Sequence, residues 1–243
     1  MPNEYDDEKF FNEYANMSRS RQGLSGAGEW WQLKELFPPL AGKCVLDLGC
    51  GYGWHCKYAV EQGATRVLGL DISEKMLAEA RRRNADERIT YRLCSMTDYE
   101  YPESEWDCVI SNLALHYIAD LDSIYAGVSS TLRPGGRFIF NIEHPAFTAG
   151  VGQDWVYAED GRALYWPIDD YFKPGARVTH FLGCDVVKQH HTLTQILMGL
   201  IRQGFAIEAI QEAEPSPEQL SIPGMADELR RPMMLMVRAQ VHK

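Results

Sequence analysis

Short apolar segments alternate with helix-like segments between residues 43 and 141, and this alternation limits the possible folds more than any other feature of the chain. The predicted strands cover residues 44–48, 66–70, 89–93, 107–110 and 137–141, and helical spacing marks 54–62, 74–83 and 120–132. Parallel strands need crossover connections, which are usually helices. The pattern therefore predicts an α/β fold with a mostly parallel sheet and helices on both faces.

The segments that flank this region have a different character. Residues 6–37 are predicted to form two helical segments, the second over 29–37, which Pro38 ends. After Pro145 a stretch of about 30 residues rich in Gly, Trp and Tyr carries no clear element, and loops of that length are usually functional. One extended strand over 177–188, a helix over 191–203 and strands over 205–210 and 233–237 are predicted to follow.

We expect one domain of seven strands in which these segments have separate roles. The predicted parts are a helical cover (1–40), a cofactor-binding core (41–143), an insertion after the fifth strand that closes over the site (144–190), and a C-terminal helix with strands (191–243).

The composition excludes several classes of protein. The chain has 24 Lys and Arg against 34 Asp and Glu, a net charge of −10, so nucleic acid is a poor partner. No apolar run approaches the roughly 18 residues of a membrane span, and the acidic start is unlike a signal peptide. The six cysteines form no CxxC pair, which argues against a metal site or a disulfide framework and favours the cytoplasm.

The strongest local signal is the sequence VLDLGCGYG at residues 45–53, a buried strand that runs into three alternate glycines before a predicted helix. Glycines let the backbone turn sharply and approach a ligand closely, and the helix start offers free N–H groups. The dinucleotide fingerprint needs a third small residue that is missing here, and no Tyr-x-x-x-Lys pair follows. These two departures disfavour an oxidoreductase.

Two acidic residues border this loop. Asp47 precedes the glycines, where a carboxylate would repel a pyrophosphate but attract an ammonium group. Asp71 ends the second strand, the position from which a carboxylate bonds ribose hydroxyls in doubly wound folds. Asp71 could instead cap the next helix, but Ser73 is better placed to do so. The pair favours a ligand with a ribose and a positive charge.

At this point the chain resembles the class I S-adenosylmethionine-dependent methyltransferases over most of residues 40–143 and the terminal strands. DLGCGYG at 47–53 is similar to the family's E/D-x-G-x-G-x-G loop, GLDIS at 69–73 to its ribose-binding turn, and LRPGG at 132–136 to the turn before its fifth strand. The second half resembles an uncharacterised bacterial branch of the family. The resemblance implies a Rossmann-like fold and S-adenosyl-L-methionine as the cofactor.

The resemblance also implies where the cofactor binds. The glycine loop would contact the methionine moiety, Asp71 the ribose and residues 95–96 the adenine, where Ser95 replaces the usual acid. The implied cofactor-binding residues are Asp47, Gly49, Cys50, Gly51, Gly53, Asp71, Ile72, Ser95, Met96 and Asn112.

Candidate catalytic residues lie at the ends of the fourth and fifth strands. Ligands bind outside the carboxyl ends of parallel strands, so His116, Glu143 and His144 are within reach of a substrate. Glu143 and His144 could equally anchor the loop that follows. His190 and His191 are predicted to have capping or packing roles, since no further ligand type lies at metal spacing.

We therefore expect transfer of a methyl group to an O, N or C nucleophile of a small molecule, with His144 or His116 as a base if the acceptor must lose a proton. Two alternatives stay open, a regulatory module that binds the cofactor without catalysis and an RNA methyltransferase. The net charge and the lack of an appended RNA-binding module disfavour the second. The sequence makes no prediction for the acceptor's identity or the oligomeric state.

Overall fold

The N-terminal segment packs against the core as several short helices in this computed structural model, which describes residues 4–242. Its helices are α1 (Glu8–Asn16), α2 (Ser18–Gln22) and α3 (Trp30–Leu33), and a 3-10 turn, Lys34–Leu36, continues α3. The prediction of two helical segments is wrong in detail. Extended backbone at Met17 separates α1 from α2, and extended backbone at Phe37 ends the segment before Pro38.

The core has the predicted alternation of strands and helices. In chain order it consists of β1 (Cys44–Leu48), α4 (Trp54–Glu61), β2 (Arg66–Asp71), α5 (Glu74–Arg83), β3 (Ile89–Leu93), β4 (Trp106–Asn112), α6 (Leu121–Thr131) and β5 (Leu132–Glu143). The bounds of β1, β3 and α5 coincide with the prediction. Local patterns define these elements because apolar runs and helix caps act on neighbouring residues.

The insertion contains more regular structure than its sequence indicates. It consists of α7 (Pro145–Thr148), the short pair β6 (Val156–Tyr157) and β7 (Ala163–Tyr165), and the hairpin β8 (Gly175–Phe181) and β9 (Cys184–His190). The single strand predicted over 177–188 is wrong, because the chain reverses at Leu182 and Gly183. Both have positive φ, 53° and 74°, as a two-residue turn of a twisted hairpin requires.

The chain ends with α8 (Leu193–Arg202), β10 (Phe205–Glu212) and β11 (Met234–Val241), which complete a seven-stranded sheet. Its order is β10-β11-β5-β4-β1-β2-β3, and β11 is antiparallel to both of its neighbours. The predicted Rossmann-like, mostly parallel sheet is confirmed. The order reverses between β1 and β4, and open α/β sheets bind ligands at such a point.

Helices cover both faces of the sheet, so its central strands, such as β1 and β4, are buried on both sides. Val45 packs with the cluster that contains α4, whereas the next residue, Leu46, packs with the cluster under α6 and α8. This alternation follows from the opposite directions of successive side chains in a strand. No helix within residues 4–242 has the length and apolar character that crossing a bilayer requires.

Candidate active site

The glycine loop is held against β2 by its own backbone. The N–H groups of Gly49 and Cys50 both donate to the carbonyl of Leu70, over 2.9 and 2.8 Å. Gly49 has φ +77°, and a Cβ there would lie 2.4 Å from the Cβ of Ala114, just after β4. The loop therefore passes between β2 and the segment after β4 at a distance that excludes any side chain at Gly49.

Asp71 is fixed at the end of β2 by two backbone donors. Its Oδ2 accepts from the N–H of Gly51 at 2.8 Å, and its Oδ1 accepts from the N–H of Ser73 at 2.9 Å. Ser73 caps α5, as predicted, by accepting from the N–H of Met76 at 3.1 Å. Burial raises the pKa of Asp71, and these backbone donors oppose the rise. The carboxylate thus lies in a fixed position beside the glycine loop.

A large cavity of about 1320 Å³ runs along the carboxyl ends of β2, β1, β4 and β5. Ten of the predicted site residues line it: Gly49, Cys50, Gly51, Asp71, Ile72, Ser95, Met96, Asn112, His116 and Glu143. The structure thus brings together residues from five separate segments of the chain. Three predicted residues, Asp47, Gly53 and His144, are not part of its lining.

Asp47 lies behind the glycine loop and not in the cavity. Its carboxylate is fully buried, and its Oδ2 accepts a hydrogen bond from the thiol of Cys56 on α4 at 3.3 Å. Burial raises the pKa of Asp47 to about 7. Alternation along β1 turns Asp47 toward the same face as Val45, which is why it is absent from the cavity lining, and its attraction of an ammonium group stays a prediction.

Gly53 has a packing role at the start of α4. A Cβ at this position would lie 2.2 Å from the hydroxyl oxygen of Tyr91, and φ is +76°. The Tyr91 hydroxyl donates to the carbonyl of Asn84 at 2.9 Å, so it is not free to move aside. Gly53 therefore permits close approach of α4 to β3 and lies outside the cavity wall, and its contact with the cofactor stays a prediction.

The end of the cavity near β3 is lined by Ile72 and residues 95–97. Ile72 is half exposed, at 52%. The Ser95 hydroxyl is hydrogen bonded to that of Thr97 at 2.7 Å, and the Met96 carbonyl accepts from the Tyr101 hydroxyl at 2.8 Å. The two apolar side chains, Ile72 and Met96, suit the faces of a flat aromatic base.

His116 follows β4 in a 3-10 turn, Leu115–Tyr117, and lines the cavity as a buried ring. Its Nδ1 has no hydrogen-bond partner among the described residues. Burial lowers the pKa of His116 to about 4, an effect that the nearby Glu143 carboxylate opposes and the Lys188 ammonium reinforces. The imidazole is therefore neutral at pH 7, and its low pKa makes it a weak proton acceptor.

His144 caps a helix and lies outside the cavity lining, which favours the anchoring alternative over its predicted catalytic role. Its Nδ1 accepts from the N–H of Ala146 at 3.0 Å, at the start of α7. Its Nε2 lies 3.0 Å from Oε1 of Glu212 on β10. Burial lowers the pKa of His144, which the Glu212 carboxylate opposes. Both ring nitrogens are already bonded, so neither is available to a substrate.

Replacing His144 with alanine is expected to lower stability while turnover stays within about threefold of the unaltered protein. The loss of a helix cap costs about 1 kcal/mol. Asparagine, a good capping residue, should restore most of that stability when His144→Asn is compared by denaturant unfolding. A loss of turnover larger than tenfold in both variants at full folding would contradict the capping role.

His190 and His191 are held by hydrogen bonds rather than exposed to substrate. His190 is bonded through Nδ1 to the Thr148 hydroxyl at 2.6 Å and through Nε2 to the Tyr171 carbonyl at 2.8 Å. His191 bonds the Ile118 carbonyl through Nε2 at 2.8 Å. The bonds of His190 hold parts of the insertion together, and the bond of His191 joins the segment before α8 to the turn after β4, in agreement with the predicted packing roles.

Two cationic residues that the sequence analysis did not select, one arginine and one lysine, also line the cavity. Arg19 on α2 makes a bidentate ion pair with buried Glu29, with N–O distances of 3.1 and 2.9 Å. Lys188 on β9 forms a buried ion pair with Glu143. A signal for Lys188 exists in the sequence, because alternate residues of β9, Val186, Lys188 and His190, face inward.

Comparisons with known proteins agree with this geometry. The chain matches the methyltransferase domain family over residues 46–140. It is similar to two solved structures, a candidate S-adenosylmethionine-dependent methyltransferase from Listeria monocytogenes (47% identity, 91% of this chain and 100% of that one, TM-score 0.87) and an S-adenosylmethionine-dependent methyltransferase from Mesorhizobium loti (44%, 90% and 100%, TM-score 0.83).

A curated relative, the demethylmenaquinone methyltransferase of Symbiobacterium thermophilum, is 31% identical over 180 residues, 68% of each chain. Two further curated methyltransferases are matched over only 24% and 52% of their own length. The family match covers the glycine loop, Asp71 and β4, the same elements that form the cavity. The chain therefore belongs to the S-adenosylmethionine-dependent methyltransferases, and S-adenosylmethionine is its cofactor.

Proposed function

We propose that this enzyme transfers a methyl group from S-adenosylmethionine to a small-molecule acceptor bound under the insertion. The observation that carries the proposal is the continuity of the cavity. It extends past Asp71 and the glycine loop to Glu143 at the end of β5 and to Phe181 and Lys188 of the β8–β9 hairpin. The acceptor end is thus walled by protein, which suits a small molecule better than a polymer.

The cavity offers groups that match each part of the cofactor. Asp71 would accept hydrogen bonds from the ribose hydroxyls, and Ile72 and Met96 would pack on the adenine. Gly51 lines the cavity, and a Cβ there would meet nothing within 4 Å, so the loop leaves room for a ligand at that point. The guanidinium of Arg19 would bind the carboxylate of the methionine moiety.

The bound cofactor would supply an electrophilic methyl group, and the chain's task is to align the acceptor with it and exclude water. The N-terminal segment helps to exclude water from the cavity, because the Tyr5 hydroxyl lies 3.0 Å from that of Tyr117 at the cavity wall. If the acceptor must lose a proton, His116 and Glu143 are the candidate bases. His144 is not, since both of its nitrogens are bonded.

The other open functions are less well supported. An RNA methyltransferase would need a basic path to the cavity, whereas the chain carries a net charge of −10. A regulatory binding module would not need a walled space beyond the cofactor. The Symbiobacterium relative is named for a quinone-type substrate, which also favours a small acceptor. We further propose a cytoplasmic location, consistent with six free thiols among the described residues.

Asp71→Ala is expected to weaken S-adenosylmethionine binding by a factor of about 100 to 10,000. The substitution removes two charge-assisted hydrogen bonds to the ribose, each of which contributes about 1.5–3 kcal/mol. Titration calorimetry measures the effect directly. Asp122→Ala, which breaks an exposed ion pair with Arg202 on the outer surface, serves as the control. Equal affinity in both variants would overturn the ribose assignment.

A methyl-transfer assay over a panel of metabolites, followed by formation of S-adenosylhomocysteine, tests the reaction itself. We expect turnover of at least one hydroxyl, amine or carbon acceptor. Cofactor binding without turnover of any compound would favour the regulatory module, and transfer to RNA would favour the third candidate. Salt-dependent RNA binding provides an independent measure of that last outcome.

A further inference from the structure

The acceptor end of the cavity contains a buried ion pair that the cofactor does not need. The Nζ of Lys188 is bonded to Oε1 of Glu143, and the side chains are only 6% and 11% exposed. Lys188 comes from β9 of the insertion and Glu143 from the end of β5. Burying a charge is costly, and pairing it with an opposite charge reduces that cost. The pair brings no net charge to the pocket, but it places two strongly polar groups there.

Each member of this pair has hydrogen-bonding capacity left over. The second oxygen of Glu143, Oε2, is buried and has no partner within residues 4–242. An ammonium group carries three N–H donors. Among the described residues, Lys188 donates a hydrogen bond to Glu143. Lys188 also lies 5.1 Å from the centroid of the Phe181 ring. A donor and an acceptor are therefore available side by side in the cavity wall.

The strand order places this pair next to the reacting end of the cofactor. Asp71 marks the ribose at β2, the glycine loop lies over β1, and Asn112 ends β4. β5 is the next strand, and Asn141 near its end donates to Asn112 at 2.9 Å. Glu143, at the end of β5, therefore lies beyond the methionine moiety on the side opposite the ribose.

We infer that the acceptor is an acidic hydroxyl, such as that of a phenol or an enol, which Lys188 and Glu143 bind and activate together. This inference rests on the proposed function and names its substrate class. A hydroxyl both donates and accepts hydrogen bonds, so it complements Oε2 of Glu143 and Nζ of Lys188 at once. A carbon nucleophile that carries no hydroxyl group requires neither the acceptor Oε2 nor the donor Nζ.

The charge changes of the reaction also favour oxygen. The bond between oxygen and methyl carbon forms as the bond between that carbon and sulfur breaks, and the electron pair of the broken bond remains on sulfur. The hydroxyl proton passes to Oε2 of Glu143 and then to water. Negative charge that develops on the oxygen is stabilised by the Lys188 ammonium. An amine acceptor would instead develop positive charge beside that ammonium.

The surrounding walls favour an aromatic or other flat apolar body on the acceptor. Apolar side chains make up much of the wall near the pair, Phe147, Phe181, Val187, Met233 and Met234, and His116, Gln153 and Gln189 add polar groups to it. Aromatic rings and thioethers pack well against aromatic faces.

The test uses 4-nitrophenol, whose ionised form absorbs visible light. Bound to the protein loaded with S-adenosylhomocysteine, it should ionise at least one pH unit lower than in water. Its proton passes to Oε2 of Glu143, which removes the repulsion between carboxylate and phenolate, and a cation within about 4–6 Å favours the charged form. Lys188→Met should abolish the shift, and Lys188→Arg should retain part of it. Lys173→Met, at an exposed lysine paired with Asp170, is the matched control and should leave the shift unchanged.

Lys188→Met leaves Glu143 buried without its partner, so the double variant Lys188→Met with Glu143→Gln is measured as well. It keeps the shape of the pair without charge and should also show no shift. An unshifted titration in the unaltered protein, a shift that survives in both variants, or failure of 4-nitrophenol to bind would each overturn the hydroxyl assignment. Failure of S-adenosylhomocysteine to bind, by calorimetry, would overturn the proposed function instead.

Turnover provides a second measurement with para-substituted phenols and matched anilines. We expect the phenols to react at least 100-fold faster than the anilines. Lys188→Met should lower phenol turnover by about 100- to 1,000-fold, the usual loss for one oxyanion donor, and most for the least acidic phenols. Faster methylation of the anilines would contradict the inference even with the cofactor fully bound.

Discussion

Replacing Gly51 with alanine is expected to weaken S-adenosylmethionine binding about a hundredfold while the protein still folds. The position a Cβ would occupy is empty of protein atoms within 4 Å, and Gly51 lines the cavity beside Asp71. The added methyl group would therefore occupy space that the ligand needs. A hundredfold change in affinity corresponds to about 2.7 kcal/mol, a reasonable cost for a displaced cofactor.

The backbone strain of this substitution needs a matched control, and Gly42 provides it. Gly42 has φ +75°, Gly51 has φ +51°, and a Cβ at either position meets nothing within 4 Å. Gly42 lies before β1 and outside the cavity. Both alanine variants should lose about 1–2 kcal/mol of stability, because both hold an L-residue in the left-handed region.

Titration calorimetry and denaturant unfolding on the two variants separate the effects. Gly42→Ala should bind S-adenosylmethionine as the unaltered protein does, and Gly51→Ala should not. If both variants bound the cofactor equally well, the glycine loop would not contact it. Gly49 is unsuitable for this experiment because its Cβ would collide with Ala114 and disturb the loop itself.

The elements that the sequence predicted correctly are those specified by neighbouring residues. The apolar run of β1, the left-handed glycines after it and the Ser73 cap of α5 each depend on a few consecutive residues. Asp71 was placed correctly for the same reason, since it ends a strand whose limits are clear. Sequence patterns predict such features well, because the residues that determine them are close together in the chain.

The features that the sequence did not reveal depend on distant contacts. Lys188 pairs with a residue 45 positions away, and Arg19 reaches the cavity only because the N-terminal helices fold over it. The reversal at Leu182 was missed because leucine is an uncommon residue at positive φ. His144 was assigned to catalysis although it precedes a proline at the start of α7, a capping position.

Acidification from pH 7 to pH 4 is expected to destabilise the protein through two buried histidines, His55 and His116. Burial lowers the pKa of each ring to about 4, whereas the unfolded chain has the ordinary value of 6.5. Between these values the unfolded state binds more protons than the folded state, so stability is present above pH 6.5 and declines as the pH falls toward 4. Each ring contributes about 3 kcal/mol at most.

Denaturant unfolding at a series of pH values measures this loss, and single variants assign it. His55→Gln and His116→Gln should each flatten the decline between pH 6.5 and pH 4, because glutamine does not titrate there. His180→Gln is the control, since His180 is exposed on the β8–β9 hairpin and bonded only to exposed Asp185 among the described residues. Carboxylates also protonate in this range, but they are common to every variant and cancel in the comparison. A decline of the same slope in His116→Gln as in the unaltered protein would mean that the pKa of His116 is the same in the folded and unfolded states, and burial would then not be what keeps this imidazole neutral.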